Sequence, residues 1–109
     1  MDYIQRLRGL VFNQVPGEGD TAAGWLESSL DPKTVALVRL GALVAVGGAG
    51  PSYGALSDSA LDAGASLEEV VDVLFAVIPV VGAPRAVAAA PRLALVLGHD
   101  TDELPGSHL

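Results

Sequence analysis

Between Asp31 and Glu69 the chain places helix starts and stops so close together that few architectures remain open to it. Asp31 precedes Pro32, pairing a side-chain cap with the residue whose missing N–H costs nothing in a first helical turn. From Val35 to Val46 the only polar side chain is Arg39, so this helix is apolar nearly all round and buried on most sides. Gly47-Gly48-Ala49-Gly50 stops it, and Pro51 restarts a helix that runs to about Ala63. Gly64 suits the left-handed residue that closes such a helix. Ser66-Leu67-Glu68-Glu69 then forms a capping box, and its acids complement the dipole of the next helix.

The rest of the chain continues in the same manner. Val70, Val71, Val73, Leu74, Val77 and Ile78 supply an apolar helix body, which Pro79 should kink or end before a Gly82-Ala83-Pro84 turn. A last helix follows from Pro84 to Leu97 with Gly98 closing it. Pro91 removes the hydrogen bond to Val87, so a kink or break is expected there. Upstream, Met1–Phe12 reads as a short amphipathic helix with Ile4, Leu7, Leu10 and Val11 on one face and Arg6 and Arg8 off it. Asn13–Asp20 is a loop, and Asp20 or Thr21 caps a short helix through Leu30 with Trp25 and Leu26 facing inward. The reading is one all-α domain of about six helices. Residues 1–30 form an N-terminal helical extension, 31–98 the core and 99–109 a flexible acidic tail.

Composition narrows the function classes. Half the residues are hydrophobic and 17% are charged, too little polar surface for so much apolar sequence, which points to a subunit interface. The uncharged run Val73–Pro84 is far short of a membrane span, and Arg39 interrupts the other apolar segment. No secretory signal is visible, so a soluble cytoplasmic protein is expected. The net charge is −7, and the six cations Arg6, Arg8, Lys33, Arg39, Arg85 and Arg92 are too dispersed to displace counterions from nucleic acid. The absence of cysteine removes disulfides, thiolate metal ligands and thiol redox chemistry together.

Ala60-Leu61-Asp62-Ala63-Gly64-Ala65, the helix opened at Asp31-Pro32, the acidic start at Glu68-Glu69 and the Gly82-Ala83-Pro84 turn resemble the carboxymuconolactone decarboxylase family, which includes the alkylhydroperoxidase D-like proteins. The resemblance runs from Asp31 to Gly98 and implies an all-α fold assembled as a homotrimer or homohexamer. It also implies where chemistry belongs. Counting back from Ala60 puts the family's two cysteines at Ala49 and Ser52, and its histidine at Leu56. Val80 takes the place of a frequent aromatic residue. A serine without an adjacent base is no substitute for a thiolate, and a leucine transfers no proton.

What remains is a ligand pocket around Arg39, Ser52, Tyr53, Leu56 and Arg85, with Tyr53 and Asp58 the weak catalytic candidates. Leu56 should face the cavity that a histidine occupies in active relatives, with Tyr53 one turn earlier and Ser52 nearby. Arg39, a lone charge in an apolar helix, needs an acid such as Asp58 or Asp72, or an exit to water. Solvated surface accounts equally for Ser57, Asp58 and Asp62, and packing for Tyr53 and Trp25. His99 and His108 beside acidic residues match no metal-ligand spacing, and no cofactor is implied. The expected function is an oligomeric assembly or small-ligand-binding protein without thiol peroxidase activity, taking an apolar or carboxylated ligand. A cofactor-free decarboxylase or lyase with a rearranged site, and a purely structural or partner-binding oligomer, are the alternatives.

Overall fold

A computed structural model describes residues 3–14, 29–99 and 104, and all regular structure in it is helical. The helices are α1 (Tyr3–Val11), α2 (Pro32–Val46), α3 (Gly50–Asp62), α4 (Leu67–Val81) and α5 (Ala83–Val96). The expected helix holding Trp25 and Leu26 lies outside the described residues, as does nearly all of the acidic tail.

Local signals account for the helix ends. The Asp31 side chain accepts from the Thr34 N–H at 2.7 Å and opens α2. Ser66 and Glu69 close a reciprocal capping box on α4, at 3.0 Å and 2.9 Å. Glu69 also accepts from Lys33 Nζ at 3.0 Å, tying the starts of α2 and α4 together. Three glycines at positive φ stop helices in the same way: Gly47 after α2, Gly64 after α3 and Gly98 after α5. After α3, the Ala65 N–H bonds to the Ala60 carbonyl and the Gly64 N–H to that of Leu61, the paired bonds of a Schellman stop.

Both caps are acid-sensitive. Hydrogen bonding from the Thr34 backbone holds the Asp31 carboxyl below its ordinary 3.8. The Ser66 backbone N–H, then Lys33, hold Glu69 below its ordinary 4.5. A carboxyl that is more acidic in the folded chain contributes stability that is complete above its unfolded value and is lost as pH falls through the folded one. The melting temperature should therefore decline from about pH 4.5 downward, and Glu69→Gln should remove part of that slope. An unchanged pH profile in Glu69→Gln would remove the cap from the account.

Of the outcomes expected at the two prolines, a kink on the one hand and an end or break on the other, the structure excludes the second. Pro79 and Pro91 neither end nor break their helices: α4 continues to Val81 and α5 runs unbroken to Val96. Each proline strips a hydrogen bond from the carbonyl four residues earlier, on Phe75 and Val87. Both of those residues are 68% exposed, so water can take the vacated place. The α4–α5 corner rests instead on Gly82, at φ 91° and ψ 150°, a region that only glycine enters without strain. Gly82→Ala should cost about 1–3 kcal/mol in urea unfolding. A loss under a few tenths of a kcal/mol would mean the corner reshapes freely.

Helices α2–α5 all touch one another around Leu40, Val44, Tyr53, Val70 and Leu93, each at most 1% exposed. Burying one such aliphatic side chain contributes about 1.5–3 kcal/mol. Helices α2 and α3 form an antiparallel pair, whereas α2 and α4 lie side by side with the same polarity. Gly41 makes that second approach close: a Cβ there would stand 3.2 Å from the Val77 Cγ1. The helix expected to be buried on most sides is buried on one. Ala36, Leu40, Gly41 and Val44 face the core, while Val38 and Val46 are 58% and 73% exposed. Helix α1 has no buried residue and touches none of the other described helices.

Candidate ligand site

The residues expected around one pocket fall around two. Tyr53 and Arg85 line a depression of about 380 Å³, completed by Gly47, Pro84, Ala88, Ala89 and Arg92. Arg39 and Leu56 line a second, of about 320 Å³, between the start of α2 and the end of α3. Ser52 and Asp58 are exposed on α3 and line neither. The division follows from the helix packing. Tyr53 faces α5 and the end of α2, while Leu56, three residues on, faces the first half of α2. Leu56 thus does line a depression, but with Arg39 rather than with Tyr53.

Arg39 takes the exit to water. It is exposed and makes no ion pair with Asp58, Asp72 or any other described residue. In the first depression the cations are better organised. Arg85 and Arg92 lie seven residues apart on α5, two helical turns, and so share a face. Arg92 Nη1 donates to the Gly48 carbonyl at 2.7 Å. The Arg85 guanidinium lies over Gly47, where a Cβ would come within 2.6 Å of its Nη1. Glycine at position 47 therefore serves both the left-handed stop at φ 70° and the seat of Arg85. Both arginines complement the negative end of α2, a structural role that needs no ligand. It uses few of their donors: a guanidinium carries five, and one on Arg92 goes to Gly48.

Tyr53 forms the floor. It is 1% exposed, and no described residue hydrogen-bonds its hydroxyl. Among the described residues no carboxylate or imidazole lines the depression, so two cations and a phenol face it without a general base from that set. The charge of such an arrangement suits an anion, and none of its described residues is suited to taking a proton at neutral pH. Beside Tyr53 on α3, Ser57 is also 1% exposed, and its Oγ has no hydrogen-bond partner. Sequence reasoning passed over Arg92. The i, i+7 spacing from Arg85 was the available signal, but only the tertiary structure turns that face toward Gly48.

Among the described residues no three His, Cys, Asp or Glu side chains gather as a metal site, and no helix is long and apolar enough to cross a membrane. His108 lies outside those residues. The structure thus defines an all-α helical domain whose chain contains no cysteine. The chain belongs to the carboxymuconolactone decarboxylase family, whose sequence model matches residues 13–94, well over half its length. That match begins upstream of the Asp31 boundary and takes in part of the segment assigned to the N-terminal extension. No curated protein and no solved structure matches the chain.

Proposed function

We propose that this family member is an oligomeric small-ligand-binding protein without thiol peroxidase activity, and that it holds a small, mostly apolar carboxylate between Arg85 and Arg92 above Tyr53. The observation that carries the reading is the pairing of two guanidinium groups over one depression that no described acidic residue lines. Guanidinium groups match carboxylates in planar, bidentate geometry, and Ala88 and Ala89 offer the apolar contact beside them. Oligomerisation is supported by the apolar surface that one protomer leaves in water: Phe75 is 68% exposed, Val80 88% and Leu95 70%. Without sulfur there is no thiolate to form a sulfenic acid, so peroxide consumption coupled to a dithiol should equal the buffer control.

The ligand reading is tested by NMR titration with benzoate against its neutral counterpart benzamide. Benzoate should shift the signals of Tyr53, Arg85 and Arg92, and benzamide should leave them in place. Equal responses to both, or none to benzoate at millimolar concentration, would overturn it. The assembly reading is tested separately by light scattering, where a mass near 11 kDa would refute it.

A further inference from the structure

Two exposed apolar surfaces of this chain complement each other. The first is a groove of about 690 Å³ between α2 and α4. Small side chains, Ala42, Ala45 and Ala76, let a helix approach closely, with Val38, Val77 and Val80 beside them. The acids Glu69 and Asp72 sit at its opening end, near the starts of both helices. Lys33 already pairs with Glu69, but no described cation pairs with Asp72. The second surface is α1. Its Tyr3, Ile4, Leu7, Leu10 and Val11 are each at least 55% exposed, and it carries Arg6 and Arg8 with no acid.

We propose that the groove between α2 and α4 receives helix α1 of a second copy of the chain, a reading that rests on the oligomeric assembly argued above. Size agrees: nine helical residues span about 14 Å, and the groove runs from Thr34 to Ala45 along α2, about 16 Å. Charge agrees too. With α1 antiparallel to α2 and α4, the Arg8 end meets Asp72, and the apolar stripe of α1 lies over Ala42, Ala76 and Val80. A second copy is the occupant because α1 stands clear of its own four-helix core and offers its apolar face outward. Reciprocal exchange closes a pair, and head-to-tail exchange closes a ring; either fills every groove.

The absence of cysteine makes the test clean, since a single introduced thiol per chain can form a disulfide only between chains. Leu7→Cys is mixed in urea with a tagged Ala76→Cys chain, and the two are refolded together and oxidised. The mixed disulfide, distinguished by the tag, should exceed by tenfold the yield with a tagged Asp58→Cys chain, whose residue is exposed outside the groove. Adding Arg8→Glu to the Leu7→Cys chain should cut that yield, and Asp72→Arg in the groove chain should restore it. Yields equal to the Asp58→Cys control would overturn the proposal. So would a Leu7→Cys/Ala76→Cys double variant that closes within one chain at monomer mass. If light scattering shows an assembly and the mixed disulfide fails, the docking is wrong and the oligomer stands. A monomer by light scattering sinks both.

Discussion

Tyr53→Ala should destabilise the domain by about 3–5 kcal/mol, while Tyr53→Phe should leave its stability nearly unchanged. Tyr53 is among the largest fully buried side chains and lies where α3, α5 and the end of α2 meet, so truncation leaves a cavity that these three helices must close around. Its hydroxyl, by contrast, has no partner within the described chain, and removing a polar group that makes no hydrogen bond costs the fold little. Tyr53→Phe should instead appear in binding, as a roughly tenfold weaker benzoate affinity, about 1.4 kcal/mol. Urea unfolding and NMR titration of the same two variants separate the roles. A Tyr53→Phe protein that loses stability as severely as Tyr53→Ala would show that the hydroxyl is structural. One that binds benzoate at full strength would remove the phenol from the site.

Reversing both charges, Arg85→Glu with Arg92→Glu, should weaken benzoate binding by at least a hundredfold. Each hydrogen bond between a guanidinium and a carboxylate contributes about 1.5–3 kcal/mol, and the new glutamates add repulsion. Arg92→Glu also removes the bond to the Gly48 carbonyl, which should cost about 1 kcal/mol of stability, too little to unfold a domain of ordinary stability. Arg39→Glu is the informative comparison. It reverses an exposed charge beside the other depression, so benzoate affinity should hold. Equal losses from Arg39→Glu and the double reversal would mean that net charge, rather than the Arg85–Arg92 face, governs binding.

Sequence alone determined the family and nearly every helix end in the core, because those signals act within a few residues of one another. Asp31 reaches Thr34, Ser66 reaches Glu69, and Gly64 needs only its own positive φ to close α3. The absence of cysteine was likewise readable without any coordinates. Tertiary structure decided what depends on which helices cross and at what face. It divided Tyr53 from Leu56, seated Arg85 over Gly47 and brought Arg92 to Gly48. It turned Arg39 to water, and it let Pro79 and Pro91 stay inside helices because the carbonyls they orphan belong to exposed residues. Most of all, it left an apolar groove open between α2 and α4: a run of valines and alanines specifies that a face is greasy, but only packing determines which side is covered within one chain and which is left for another.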